Sequence, residues 1–159
     1  MAIDSPKVSK KKMALDAAKM HFDNSDALAK KDGCEVDSSR EKSRGYVASA
    51  KAFADYKDFS QTGHQLLLAG QSSLAAGDYV EASKIYTKAA GSFILAKDFV
   101  GRDSAMSLAG EALFLGERYA EAANVFTEAG NLEKAAKMRE LAKMQAANVA
   151  QISVAGSEK

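Results

Sequence analysis

Gly77-Asp78-Tyr79-Val80-Glu81-Ala82-Ser83-Lys84-Ile85-Tyr86-Thr87-Lys88-Ala89-Ala90, residues 77–90, reads as a turn that opens onto a helix. Gly77 is the residue type that ends one helix, and Asp78 is the type that caps the next. Beyond the turn, Ala82, Ile85, Tyr86, Ala89, Ala90 and Phe93 fall at spacings of three and four, one apolar stripe along one side of a helix. That helix is expected from Tyr79 to about Lys97. A preceding helix, from about Gln61 to Ala76, completes an antiparallel pair.

The pair recurs at a period of forty residues. Lys57-Asp58-Phe59 returns as Lys97-Asp98-Phe99, and Leu68-Ala69-Gly70 as Leu108-Ala109-Gly110. Tyr79, Glu81 and Ala82 return as Tyr119, Glu121 and Ala122; Tyr86-Thr87 and Ala89 return as Phe126-Thr127 and Ala129. The third unit therefore reads as a helix from about Asp103 to Leu115, a turn at Gly116-Glu117 and a helix from Tyr119 to Ala129. Going backward, Glu41, Tyr46 and Phe53 stand in phase with Glu81, Tyr86 and Phe93. The first unit is a helix from Lys10 to Lys31, a stop at Lys31-Asp32-Gly33, a loop over 33–39 and a helix begun by Ser38 or Ser39. After Gly130, a last helix from about Asn131 to Ala147 covers the open end.

Small residues at Ala69, Gly70, Ala82 and Ala89 let neighbouring helices approach, and Tyr79 and Tyr86 fill the space between them. No pair buries both of its faces alone, so pairs must stack. The expected fold is all-α: a right-handed α-solenoid of about three antiparallel hairpins, tetratricopeptide-like, with a C-terminal capping helix. Residues 10–148 form its single domain, 1–9 a flexible polar leader and 149–159 a C-terminal tail.

Composition agrees with a soluble globular chain. Of 159 residues, 47% are hydrophobic and 27% charged. A net charge of +1 gives no global attraction to nucleic acid or anionic lipid. No apolar run approaches the roughly 20 residues of a membrane-spanning helix. Membrane insertion is therefore not expected, although peripheral contact stays open. The single cysteine, Cys34, excludes an internal disulfide and suits a reducing, cytoplasmic setting. Pro6 is the only proline, so nothing interrupts helices downstream.

The residues that carry chemistry do not assemble into a motif. His21 and His64 fall on different helices, outside any zinc-binding spacing. Cys34 has Lys30 and Lys31 nearby but no assignable acid–base partner. Gly70, Gly77, Gly91, Gly101 and Gly110 follow the repeat rather than a phosphate loop. No catalytic residue, cofactor or metal is expected, and an enzyme is the weakest of three readings.

The pattern Ala69-Gly70, Gly77-Asp78-Tyr79, Glu81-Ala82, Tyr86, Ala89 resembles the tetratricopeptide consensus, without its terminal proline and at forty rather than thirty-four residues. The chain is also similar to the soluble NSF attachment protein family, whose helical hairpins have this longer period. That likeness rests on Tyr86-Thr87-Lys88-Ala89-Ala90-Gly91-Ser92-Phe93, Ala96-Lys97-Asp98-Phe99 and Phe126-Thr127-Glu128-Ala129-Gly130. It spans roughly residues 10–145 and corresponds to the N-terminal half of such a protein. The family's apolar membrane loop has no counterpart here, because Asn24 to Val36 carries Lys30, Lys31, Asp32 and Glu35 and no phenylalanine. Its C-terminal bundle is likewise unmatched. The resemblance thus implies architecture and the binding of helical partners, related to vesicle trafficking, and not ATPase stimulation.

In stacks of this kind the first helix of each pair lines the concave face. By that frame His64, Leu67, Gln71 and Leu74 face a partner from one helix, and Ser104, Ser107, Glu111 and Phe114 from the next. The competing reading makes Leu74 and Phe114 core residues. Lys10, Lys11 and Lys12, and Lys134, Lys137 and Arg139 on the last helix, are candidate basic contacts or simply solvated faces. No aromatic interleaving suggests a nucleic-acid platform. The expected function is a protein-binding adaptor or scaffold that takes a helical or extended segment, as a monomer or weak homodimer. The alternative is a self-associating structural module.

Overall fold

The computed structural model describes residues 6–31 and 33–156, with side chains described for 10–31 and 33–152. Among them it contains seven helices and no strand: α1 (Pro6–Ala29), α2 (Glu35–Asp55), α3 (Phe59–Ala75), α4 (Tyr79–Leu95), α5 (Phe99–Leu115), α6 (Tyr119–Glu128) and α7 (Leu132–Gly156). Each helix packs on the next in the chain, and α3 also touches α5.

The turns share one geometry. Lys57, Gly77, Lys97 and Glu117 adopt left-handed φ values of 59°, 77°, 60° and 57°. They stand twenty residues apart, so a helix and its turn form a unit half the length of the sequence repeat. In each turn two amide bonds close the helix end. Lys97 donates to the Ile94 carbonyl at 3.0 Å and Asp98 to the Phe93 carbonyl at 2.8 Å. Glu117 donates to Phe114 at 3.0 Å and Arg118 to Leu113 at 2.8 Å. This crossed pair satisfies carbonyls that a helix end would otherwise leave open.

Several helix limits depart from the sequence reading. The Gly116-Glu117 turn is displaced by one residue: Gly116 keeps a φ of −83°, and Glu117 makes the left-handed turn. A Cβ at Gly116 would lie 3.0 Å from the Tyr79 Cβ, so close approach rather than turning explains this glycine. α3 and α5 begin at Phe59 and Phe99, not at Gln61 and Asp103. Their caps are Asp58, which accepts from the Gln61 amide at 3.1 Å, and Asp98, which accepts from Gly101 at 2.9 Å. α2 begins at Glu35, within the expected 33–39 loop, with Glu35 and Asp37 favourably placed at the positive end of its dipole. Ser38 is therefore no cap. Its hydroxyl is buried against α1, 3.0 Å from the Ser25 hydroxyl, and donates to the Ser25 carbonyl at 3.1 Å.

At the chain ends, α1 starts at Pro6 and so takes in part of the expected leader; proline is well suited to a first helical position. Residues 1–5 lie outside the described residues, as do Asp32 of the expected stop signal and 157–159 of the expected tail. α7 runs nine residues past Ala147, to Gly156.

The core is built from aromatics lying over glycines and alanines. Tyr86, Phe93 and Phe126 are fully buried. A Cβ on Gly70 would sit 2.5 Å from the Tyr86 ring, one on Gly110 2.8 Å from Phe126, and one on Gly63 2.8 Å from Phe93. Ala69, Ala82, Ala89, Ala105, Ala109 and Ala122 are wholly buried beside them. Burying each large ring contributes about 1.5–3 kcal/mol.

Candidate functional site

The face formed by α3, α5 and α7 carries most of the residues singled out from the sequence, and the structure separates them by role. Leu67 and Leu74 are half-buried and pack against core residues around Tyr86. For Leu74 this is the competing core reading. His64 is exposed; its Nδ1–H donates to the Ser60 carbonyl at 2.8 Å, and its ring stands edge-on to Phe93 at 5.3 Å. Gln71 and Ser104 are exposed, and Ser107 is half-buried. Phe114 remains 40% exposed, its ring 5.9 Å from that of Tyr119.

Glu111 and Phe114 of α5 meet Lys134 and Lys137 of α7. Together with Leu115, Phe126 and Met138 they line a cavity of about 390 Å³. Phe126 and Met138 are buried and form its floor, whereas Phe114 and Leu115 rise from one wall. Across the cavity Lys134 Nζ donates to Glu111 Oε1 at 2.7 Å and lies 5.3 Å from the centre of the Phe126 ring. Among the described residues Lys137 forms no ion pair, so its ammonium is the free charge here. An apolar floor with one free cation at its edge suits an aliphatic or aromatic anchor followed by a carboxylate. Two groups assigned separately in the sequence, the α5 positions and the basic side of the last helix, thus converge.

The other basic candidates do not join them. Arg139 donates to the Thr127 hydroxyl at 2.8 Å. Lys11 lies 4.7 Å from the Tyr56 ring centre and 5.8 Å from that of Phe53, which ties it to the α2 end. Lys10 borders a separate hollow with Met13, Lys51 and Asp55, and Lys12 is exposed.

Sequence reasoning missed a second groove, between α2 and α4, of about 500 Å³. Arg40, Arg44 and Lys51 line it opposite Asp78 and Glu81, with the Ser43 and Ser73 hydroxyls 2.8 Å apart nearby. The signal was there: Arg40, Arg44, Val47 and Lys51 follow helical spacing on one side of α2. Two of its charges are already engaged. Arg40 donates to both Asp78 oxygens, at 2.7 and 2.9 Å, and that hydrogen-bonded pairing holds the Asp78 carboxyl below its ordinary range. Arg44 pairs with Glu41, whose carboxyl is also lowered, first by a hydrogen bond to His21 at 2.7 Å and then by Arg44.

Among the described residues no three His, Cys, Asp or Glu side chains gather in a metal-binding arrangement. No helix there is long and apolar enough to cross a membrane. No protein-family model matches the chain, and neither a curated protein nor a solved structure matches it.

Proposed function

We propose that the protein is an adaptor that receives an amphipathic helical or extended segment on its α3–α5–α7 face, with an apolar anchor in the α5–α7 cavity and an acidic residue on Lys137. The convergence of Glu111, Phe114, Lys134 and Lys137 on one cavity carries this reading. The forty-residue repeat supports it too. In a tetratricopeptide-like stack, which the repeat resembles, the first helices of the pairs, here α3 and α5, would line the concave face. Exposed Gln71 and Ser104 then extend the contact along that face as uncharged hydrogen-bonding groups.

Affinity capture from native lysate tests the reading. The wild type is compared with Leu115→Glu/Lys137→Glu in the cavity, Gln71→Ala/Glu111→Ala along the face and Arg44→Glu/Lys51→Glu in the α2–α4 groove. The expected result is a partner lost with the cavity variant, weakened with the face variant and retained with the groove variant. Retention by the cavity variant, with loss by the groove variant, would move the site to α2 and α4 and overturn the proposal.

A further inference from the structure

The groove between α2 and α4 has a counterpart one repeat later, between α4 and α6. In the first, Ser43, Arg44, Val47 and Ala48 form one wall, with the buried Ser73 behind them. In the second, of about 540 Å³, their forty-residue counterparts Ser83, Lys84, Thr87 and Lys88 form the wall, with the buried Leu113 behind them. On the facing helix Glu81 and Ile85 become Glu121 and Val125.

The substitutions between the two all act in one direction. The first groove is bridged by its own residues, Arg40 donating to both Asp78 oxygens at 2.7 and 2.9 Å. Forty residues on, those positions hold Val80 and Arg118, a pair of side chains that forms no such bridge. Arg118 turns instead to Glu121, donating from Nε at 2.8 Å, and so engages the carboxylate that lines the second groove. Ser73, whose hydroxyl lies 2.8 Å from that of Ser43, gives way to Leu113. With the half-buried Val80 and Val125, Leu113 makes the floor apolar. Ala48 gives way to the exposed Lys88, beside the exposed Lys84. Among the described residues neither of these two ammoniums is paired. The first groove satisfies itself; the second is open, apolar below and cationic along one rim.

We infer that the α4–α6 groove is a second docking surface, for an acidic amphipathic helix of a partner. Lys84 and Lys88 stand one helical turn apart on α4, about 6 Å along its axis. Carboxylates four residues apart on a partner helix match that spacing, and an aliphatic side chain between them reaches the floor. Charge complementarity selects this occupant. A neutral or basic helix would displace water from both ammoniums and return no carboxylate to them, whereas an acidic one pairs both. The groove shares no lining residue with the α5–α7 cavity, so its assignment does not depend on what that cavity takes. With both sites filled, the protein joins two segments rather than holding one.

Fluorescence anisotropy with a labelled helical peptide that repeats Glu-Ala-Ala-Leu tests this. The full chain carries Leu115→Glu/Lys137→Glu, so that the α5–α7 cavity does not take the peptide. The expected result is saturable binding that weakens about five- to tenfold when Lys84→Gln/Lys88→Gln is added, as the loss of two exposed ion pairs implies. Binding should also weaken as salt rises from about 0.1 to 1 M and screening shortens. Arg44→Gln/Lys51→Gln, in the first groove, should leave it unchanged. A peptide with Gln in place of Glu should not bind, and one with Ala in place of Leu should bind less. Absence of binding overturns the inference, as does equal binding by the Lys84→Gln/Lys88→Gln protein. Binding by the wild type that vanishes with Leu115→Glu/Lys137→Glu alone also overturns it, and places the acidic segment in the α5–α7 cavity. Sedimentation with phosphatidylserine vesicles supplies the remaining outcome. Vesicle binding that needs Lys84 and Lys88, with no peptide binding, would assign the groove to an anionic membrane surface and overturn the protein partner.

Discussion

Asp78 occupies the N-cap position of α4, yet its carboxylate makes no bond to its own helix and is held instead by Arg40 of α2. Asp58 and Asp98, at the corresponding ends of α3 and α5, do cap. Asp78 therefore ties together helices from successive hairpins. A paired rather than capping role predicts that Arg40→Ala and Asp78→Ala lower the melting temperature by similar amounts and that the double variant loses no more than either. Additive losses would instead assign Asp78 a separate capping role. The pH dependence has a definite sign. The folded carboxyl lies below its unfolded value, so its stabilisation is complete above about pH 4 and disappears as pH falls through the lower folded value. The gap in melting temperature between the wild type and Asp78→Ala should accordingly narrow on acidification below pH 4 and be widest near neutrality.

Gly70 and Gly91 both lie inside helices, and the same substitution should have opposite effects at the two. At Gly70 a methyl group would meet the buried Tyr86 ring at 2.5 Å. Overpacking of this kind costs about 1–3 kcal/mol, which exceeds the roughly 1 kcal/mol that alanine gains in helix propensity. At Gly91 nothing lies within 4 Å, so the propensity gain stands unopposed. Urea denaturation should show Gly70→Ala destabilised and Gly91→Ala stabilised by about 0.5–1 kcal/mol. A stabilised Gly70→Ala would mean that Tyr86 is free to move away.

Among the described residues the buried Tyr86 hydroxyl has no hydrogen-bond partner. The equivalent ring forty residues later is Phe126, which fills the same kind of site without the hydroxyl. Tyr86→Phe removes the orphaned group and keeps the ring, so stability should be unchanged or rise by about 1 kcal/mol. Burial, and after it the nearby Glu111, raises the Tyr86 phenol above its ordinary range. The unfolded chain then loses this proton first, and the wild type should lose stability relative to Tyr86→Phe as pH rises above about 10. Equal alkaline sensitivity of the two proteins would show that the phenol is solvated.

Helices and core were legible because their signals are local and repeated. The stripe through Ala82, Tyr86, Ala89 and Phe93 is buried as its spacing implies, and Gly70 and Gly110 admit the aromatics placed against them. Helix rotation lay beyond what spacing encodes. Leu74 and Phe114 hold equivalent positions in the repeat, yet Leu74 is half-buried and Phe114 is 40% exposed, because α5 borders a cavity where α3 borders another full pair. The start of α5 was obscured by Phe99 and Val100, exposed apolar residues that do not belong to its buried stripe, and only the Asp98 cap reveals it. The α5–α7 cavity depends on contacts between helices separated by the whole of α6, which no local pattern encodes.

The turns contain backbone strain that local composition conceals. Lys57, Lys97 and Glu117 take the left-handed conformation that Gly77 takes freely in the equivalent turn. A side chain there crowds the following carbonyl at a cost on the order of 1 kcal/mol, offset by the two amide bonds that close the helix end. Replacing the residue with glycine should relieve that crowding and leave both bonds in place. Lys97→Gly and Glu117→Gly should each gain about 0.5–1 kcal/mol, and Gly77→Ala should lose a similar amount. Guanidinium melts of the three variants decide the point. If Lys97→Gly is destabilised while Gly77→Ala behaves as expected, the Lys97 side chain must contribute more to the α4–α5 turn than its backbone conformation costs.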